Sequence, residues 1–271
     1  PFIEYTKRTI YLDDNEMAVI SRIKGFKMYS IISDKLITPT IQDIKLSLET
    51  IEKSGYDYFM LKEIHEQSRA ITDTFRGRLL VEEQQINISG IEQNKEKFEN
   101  VSRITIVACG TSWHAGLVAE YLFEDAARIP VEVEYASEFR YRNPVINKGD
   151  IVIAISQSGE TADTLAAIKL AKENGAFVFG ICNVVGSSIA RASDAGAYTH
   201  AGPEIGVAST KAFTTQLTVI IMMGLRLGQL KGTVGKSDFE RVAKQLVELP
   251  KLIDTVLAYD KQIEKIAREY K

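Results

Sequence analysis

Residues 151–174 read IVIAISQSGETADTLAAIKLAKEN. The first five are apolar without alternation, which is typical of a strand buried on both faces of a parallel sheet. A helix is expected up to Asn174, because Gly175 follows and glycine commonly stands just past a helix end. Between them lies the hydroxyl-rich segment SQSGET. The stretch therefore predicts a strand, a polar loop and a helix, in the order from which α/β folds are built.

The same alternation of strand and helix extends outward on both sides of this stretch. Strands are predicted at residues 103–108, 131–135, 151–155, 177–182 and 197–199. Helices are predicted from CGTS at 109–112 to about 128, at 187–191, and over about 210–230. Strands that are apolar on both faces and alternate with helices imply parallel crossovers. The predicted fold is a three-layer αβα sandwich with a parallel sheet.

The composition excludes several classes of protein. The chain has 271 residues, of which 45% are hydrophobic, with 33 Lys and Arg against 36 Asp and Glu. This balance lacks the basic excess of a nucleic-acid binder. The longest apolar run, residues 217–225, is far shorter than the roughly 20 residues that cross a bilayer. Two cysteines suggest a reducing compartment, so we expect a cytoplasmic protein with no membrane partner.

The segments outside the α/β region suggest attachments to it. Residues 9–12 and 17–20 flank an acidic turn, which predicts a β-hairpin that belongs to a larger sheet. Pro1, in place of Met, suggests that the sequence begins inside a longer polypeptide. Helical spacing in the region from about 23 to 100 predicts a helical connection; the residues that carry it are Ile41, Ile44, Leu48, Ile51, Phe59, Ile64, Ile71 and Phe75. A charged helical tail is predicted from 237 onward.

Two polar loops carry the candidate chemistry. In open parallel sheets ligands bind at the carboxyl ends of the strands, and CGTS and SQSGET both follow strands and run into helices. Helix amino termini and rotatable hydroxyls suit a phosphate; the hydroxyls are those of Thr111, Ser156, Ser158 and Thr161. Glu160 must then point away from the anion. The alternative is that these Ser and Thr residues only cap helices.

A third loop and several single residues allow more than one interpretation. The segment GPEIGVASTK at 202–211 is either a loop in which Ser209 or Thr210 caps the long helix, or a wall of the same pocket. ATP and dinucleotides are not expected, because neither a P-loop nor a G-x-G-x-x-G fingerprint is present. His65, His114 and His200 lack the spacing of metal ligands, so no metal site is predicted.

The blocks CGTS, SQSGETADT and EIGVASTKAFTTQ, in this order, resemble the glutamine–fructose-6-phosphate aminotransferase family. SEFRYR at 137–142 and FMLKEIHEQ at 59–67 resemble it as well. The resemblance implies that residues 95–235 form the family's first sugar-isomerase (SIS) domain. It implies the end of a glutaminase domain at 1–22, a connecting helical region at 23–94, and at 236–271 a helical connection towards a second SIS domain.

The resemblance also implies an activity. Enzymes of this family make glucosamine 6-phosphate and glutamate from fructose 6-phosphate and glutamine, for amino-sugar nucleotide synthesis, and use no separate cofactor. A homodimer is implied, with glutamine bound at the glutaminase domain. The alternative is a regulatory SIS domain that senses sugar phosphates without catalysis. Such a regulator commonly carries a basic helix-turn-helix region, and the segment before Val101 shows no basic cluster.

The family's ligand contacts can be placed on this sequence one by one. They fall on Thr111, Ser112, Ser156, Gln157, Ser158, Thr161, Val207 and Ser209, and Cys109, Gly110 and Glu204 are further candidates for the pocket wall. The family's catalytic groups lie on the glutaminase domain and on the second SIS domain, and none of them maps onto this chain. The resemblance therefore implies that this chain binds sugar phosphate without turning it over.

Overall fold

The computed structural model describes residues 5–43 and 52–270. The chain divides into two compact units, Pro1–Ser54 and Gly55–Lys271. Each is held together by its own sheets, and the candidate loops all lie in the second unit.

The first unit is built from short antiparallel strands. They are β1 (Arg8–Thr9), β2 (Glu16–Ser21), β3 (Gly25–Ser30), β4 (Leu36–Ile37) and β5 (Gln42–Asp43). β2 pairs with β3 and β3 with β4, while β1 pairs with β5. The predicted hairpin of residues 9–12 with 17–20 is therefore wrong. The acidic turn does form, with the Glu16 N–H donating to the Asp13 carbonyl. The strand after this turn, β2, pairs with the next strand along the chain, β3, which begins at Gly25 with φ +70°.

The predicted helical connection is partly wrong and partly confirmed. Residues 25–43 contain strands instead of helices, and Ile41 lies just before β5, outside any helix. Ile44, Leu48 and Ile51 lie outside the described residues. The spacing of Phe59, Ile64, Ile71 and Phe75 is confirmed, because they fall in the helices α1 (Phe59–His65) and α2 (Gln67–Phe75). The small hairpin β6 (Leu79–Leu80) and β7 (Gln85–Ile86), then α3 (Ser89–Glu92) and α4 (Lys95–Glu99), complete this segment.

A five-stranded parallel sheet forms the centre of the second unit, in the order β12-β11-β10-β8-β9. Its strands are β8 (Ile104–Ala108), β9 (Val131–Tyr135), β10 (Ile151–Ser156), β11 (Phe177–Cys182) and β12 (Ala195–Tyr198). Every neighbouring pair in it is parallel. The predicted strands and their parallel arrangement are confirmed.

Helices cover both faces of this sheet. The helices after β8 are α5 (Thr111–Ala127), α6 (Ala136–Phe139), α7 (Ala162–Glu173), α8 (Ser188–Ala192), α9 (Lys211–Lys231), α10 (Lys236–Leu257) and α11 (Asp260–Glu269). The last of them, α11, buries none of its residues. In β10, Ile153 belongs to the core beneath α5 and α9, and its neighbour Ala154 belongs to the core beneath α6 and α7. Since side chains alternate between the two faces of a strand, this double burial explains the unbroken apolar run. The three-layer αβα prediction is confirmed.

The apolar helix α9 is buried within its own chain. It packs against α5 and α2, and Val219, Ile220, Met222 and Met223 are shielded from solvent. Among the helices in the described part of the chain, none is both long and apolar enough to cross a bilayer.

Candidate functional site

The sheet reverses its order between β8 and β10. From β8 the chain proceeds to β9 on one side, and from β10 it proceeds to β11 and β12 on the other. β8 and β10 are direct neighbours, with Ile155 paired to Ala108. The helices that follow them lie on opposite faces, so a crevice opens beyond the carboxyl ends of the two strands. This reversal is where open α/β sheets bind ligands, and both hydroxyl-bearing loops begin there.

Residues 156–161, called the serine loop, keep hydroxyl protons available. The buried Ser156 Oγ accepts the Gly159 N–H at 3.0 Å and lies 3.0 Å from Thr161 Oγ1. One hydroxyl of this pair donates to the other, which leaves one proton free to point outward. Ser158 Oγ accepts the Glu160 N–H at 3.2 Å, and that bond does not use the Ser158 proton. The Thr161 side chain does not cap α7, so capping of that helix does not explain the Thr161 hydroxyl.

The serine loop is fastened to its neighbours. Gly159 has φ +67°, and a Cβ there would overlap the Ser187 side chain, so no other residue fits without a shift. The Gly159 carbonyl accepts the Ile189 N–H at 2.8 Å. Glu160 turns away from the crevice, as a bound anion requires, and its carboxylate accepts the Ser188 N–H at 2.8 Å. The loop is thus held against the start of α8.

The CGTS loop turns into α5 at Gly110, whose φ of 59° and ψ of −136° favour glycine. Thr111 is exposed at the first position of the helix. Ser112 is buried and accepts a hydrogen bond of 3.0 Å from Gln216 Nε2 of α9. Because Gln216 supplies a donor, the Ser112 proton stays available for another acceptor. Cys109 is half-buried at the end of β8.

The third loop, residues 202–210, is organised by two carboxylates. Glu63 of α1 accepts the N–H groups of Ile205 and Gly206. Glu204 Oε1 accepts the N–H groups at the start of α9, from Thr210 at 2.9 Å and Ala212 at 3.1 Å. Glu204 therefore caps α9.

The expectation that Ser209 or Thr210 caps this helix is wrong. No side-chain cap is formed by Thr210. The Ser209 hydroxyl instead donates to Glu204 Oε2 at 2.9 Å. Val207 is fully exposed.

Asn183, which sequence reasoning missed, joins two of these loops. Its backbone N–H donates to the Gln157 carbonyl at 3.3 Å. Its Nδ2 donates to the Gly202 carbonyl at 2.7 Å, and its Oδ1 accepts the Ala201 N–H at 2.8 Å. Asn183 thus connects the serine loop with the start of the third loop. Its position directly after β11, at the same edge of the sheet, was the available signal.

Cys182, whose backbone pairs with Ser156 at the start of the serine loop, is buried. Burial raises the pKa of the Cys182 thiol to about 11, which suits a packed, unreactive cysteine. Burial and the nearby Arg78 charge lower the pKa of His200. His114 is exposed and rests edge-on against the Trp113 ring.

A cavity of about 420 Å³ beside Arg128 lies at the opposite end of α5, away from the serine loop.

The chain is similar over its whole length to proteins that are already known. A family model described as the SIS domain matches residues 97–226. Over all of this chain, the glutamine–fructose-6-phosphate aminotransferases of Bacteroides thetaiotaomicron and Chlorobaculum tepidum are 51% and 49% identical. The C-terminal domain of glucosamine-fructose-6-phosphate aminotransferase from Francisella tularensis is a solved structure with 41% identity and a TM-score of 0.75. That match covers 80% of this chain and 60% of the other.

The chain spans 44% of the length of each of the two curated relatives. The match reaches all of this chain, while the SIS model covers its parallel sheet and the serine loop. The chain contains a SIS domain and belongs to the glutamine–fructose-6-phosphate aminotransferase family.

Proposed function

We propose that this chain binds fructose 6-phosphate in the crevice between β8 and β10. The chain would serve there as the sugar-phosphate-binding part of an enzyme that makes glucosamine 6-phosphate and glutamate from fructose 6-phosphate and glutamine. The proposed ligand contacts are Thr111, Ser112, Ser156, Gln157, Ser158, Thr161, Val207 and Ser209, with Cys109, Gly110 and Glu204 beside them.

The serine loop is the observation that supports this function most directly. It offers the Ser158 proton and one proton of the Ser156–Thr161 pair at the amino end of α7. A phosphate accepts such hydrogen bonds strongly, and each is worth about 1.5–3 kcal/mol. Since the phosphate does not react, its binding energy can hold the sugar in place for chemistry elsewhere on the molecule.

The curated relatives favour an enzyme over a sensor. The regulatory alternative would require a sugar-phosphate site without catalysis, whereas the relatives that match the entire chain are named as aminotransferases. We therefore propose the aminotransferase activity for the complete protein, with glutamine as amino donor, in a cytoplasmic homodimer. The divisions at residues 22, 94 and 235 stay predictions.

Calorimetric titration of the 271-residue chain with fructose 6-phosphate tests the binding. We expect saturable binding of fructose 6-phosphate, weaker binding of inorganic phosphate and none of fructose. Ser158→Ala removes a free donor, so fructose 6-phosphate should bind at least about tenfold more weakly. Ser102→Ala is the matched control, because Ser102 lies before β8 at the opposite edge of the sheet.

Two results would contradict the proposal. One is an equal loss of affinity in Ser158→Ala and Ser102→Ala, which would mean that the serine loop does not hold the ligand. The other is an absence of binding at millimolar fructose 6-phosphate. Formation of glucose 6-phosphate by the isolated chain would contradict the expectation that it binds without turnover.

A further inference from the structure

We propose that Glu204 is a specificity-determining residue: it holds the hydroxyl proton of Ser209, so that the third loop accepts a hydrogen bond from a sugar hydroxyl and disfavours phosphate. This inference rests on the proposed sugar-phosphate function and adds to it the cause of ligand orientation. Glu204 acts through Ser209 and through its own charge.

The two oxygens of Glu204 have different partners. Oε1 accepts the Thr210 and Ala212 N–H groups at 2.9 and 3.1 Å. Oε2 accepts the Ser209 hydroxyl at 2.9 Å. Because an ionised carboxylate can only accept, the Ser209 proton must point to Glu204. Ser209 Oγ is left with lone pairs for any further partner, and so meets a ligand as an acceptor.

The serine loop has the opposite polarity. Ser158 Oγ accepts the Glu160 N–H, and that bond leaves its hydroxyl proton available for donation to a ligand. Phosphate oxygens accept hydrogen bonds, while each sugar hydroxyl can also donate one. A sugar phosphate therefore forms hydrogen bonds with both loops in one orientation only, with its phosphate at the serine loop and a hydroxyl at Ser209.

The charges around the third loop reinforce this direction. Glu63, itself buried, lies behind Ile205 and Gly206. The nearby Lys211 ammonium is paired with Glu66 at 2.6 Å. A phosphate placed at Ser209 would therefore face the carboxylate of Glu204, and like charges at such distances repel.

Glu204→Gln tests the inference with little change in shape. The two helix N–H groups need an acceptor, so the glutamine carbonyl takes the place of Oε1 and its NH₂ group takes the place of Oε2. That NH₂ group donates to Ser209 and turns the Ser209 proton outward. The cap is kept while the polarity of Ser209 is reversed and the charge is removed.

Titration of the 271-residue chain by amide NMR with fructose 6-phosphate and with inorganic phosphate gives the readout. In Glu204→Gln, we expect the affinity for fructose 6-phosphate to fall roughly three- to tenfold, the size of one neutral hydrogen bond. Phosphate alone should bind as well as before or better. Ser209→Ala should give a similar loss, and the double variant should lose no more than either single one, because both remove the same acceptor.

The outcomes separate the possible explanations. An equal change in both affinities, which leaves their ratio as it was, would mean a purely structural effect or none and would overturn the inference. Glu204→Ala serves as the control for capping: it should lower the unfolding temperature, whereas Glu204→Gln should not. If the unsubstituted chain does not bind fructose 6-phosphate, the proposed function fails and this inference fails with it.

Discussion

The side-chain amide of Asn183 donates a hydrogen bond of 2.7 Å to the carbonyl oxygen of Gly202. The backbone N–H of Asn183 donates to Gln157 in the serine loop. One residue after β11 thus ties together two loops that we assign to opposite ends of the ligand, and the distance between those loops depends on it.

Asn183→Asp should weaken this connection. The substitution keeps the oxygen that accepts from Thr199 and Ala201 but removes the donor to Gly202 and places a negative charge beside its carbonyl. We expect a loss of about 1–3 kcal/mol in the free energy of unfolding, measured by denaturant titration, together with weaker binding of fructose 6-phosphate.

The matched control is Asn174→Asp. Asn174 Nδ2 also donates to a backbone carbonyl, that of Leu170, but at the exposed end of α7. It should leave affinity for the ligand unchanged. If both variants bound the ligand alike, Asn183 would have no role in holding the loops.

Gly159→Ala should be more damaging than Gly110→Ala. Both glycines have positive φ, but a Cβ at Gly159 overlaps Ser187, while a Cβ at Gly110 meets no atom within 4 Å. We expect a loss of unfolding free energy of about 2–4 kcal/mol at Gly159 and about 1–2 kcal/mol at Gly110. Equal losses in denaturant titrations would show that backbone strain alone decides both positions.

Gln216→Leu should reduce ligand affinity with little loss of stability. Gln216 Nε2 donates to Ser112, and its Oε1 is buried without a hydrogen-bond partner. Replacing the amide removes one hydrogen bond and one unsatisfied atom, so the free energy of unfolding should change by less than about 1 kcal/mol. Ser112 would then lose the donor that fixes the orientation of its hydroxyl, and affinity for fructose 6-phosphate should fall severalfold in a calorimetric titration.

Gln229→Leu is the control for that variant. Gln229 lies on the same helix, donates to the Gln84 carbonyl and also has a buried, unsatisfied Oε1. Its replacement should affect stability in a similar way and leave ligand binding intact. A decrease in affinity in both variants would mean that any disturbance of α9 weakens binding, and that the hydrogen bond from Gln216 to Ser112 has no specific role.

Alkaline pH should destabilise the chain through Cys182. Burial raises its pKa from 9.0 to about 11 in the folded state, so between these values the folded state retains a proton that the unfolded state releases. The contribution of this thiol to the free energy of unfolding is fully present below pH 9. It declines towards pH 11, by roughly 2–3 kcal/mol at most.

Comparison of the chain with Cys182→Ala isolates this effect, because Lys and Tyr side chains titrate in both. The variant should show a smaller fall in unfolding free energy between pH 9 and pH 11. Parallel slopes would contradict the shifted pKa. At pH 8, Cys109 should react with a thiol reagent faster than Cys182, since Cys109 is half-buried and Cys182 is buried.

The sheet of the second unit could be predicted because burial on both faces leaves a direct mark on the sequence. Runs such as residues 151–155 and 177–182 are apolar without alternation, and the structure places both in the centre of the sheet. The first unit could not be predicted in the same way. The alternation at residues 17–20 indicates a strand but does not say which neighbour it pairs with, and β3 lies as close in sequence as the segment before the acidic turn.

The types of residue in the loops could be read from the sequence, but their hydrogen-bond polarity could not. Ser209 looked like a helix cap, since serine commonly is one. Glu204 takes that place because the third loop folds back over the first turn of α9. Glu63 supports the same loop from residues far away in sequence, a relationship that no local pattern records.

The central position of β10 has a consequence for folding. β10 pairs with β8 although α5, β9 and α6 lie between these two strands in the sequence, and β10 also pairs with β11. Such non-local pairing carries the cost of loop closure and slows folding. We expect the serine loop to acquire its geometry only when that central ladder closes, so the proposed binding of fructose 6-phosphate should report, during refolding, the fraction of molecules that have completed the sheet. Ligand at 100 times its dissociation constant would then favour the assembled sheet by about 2.7 kcal/mol.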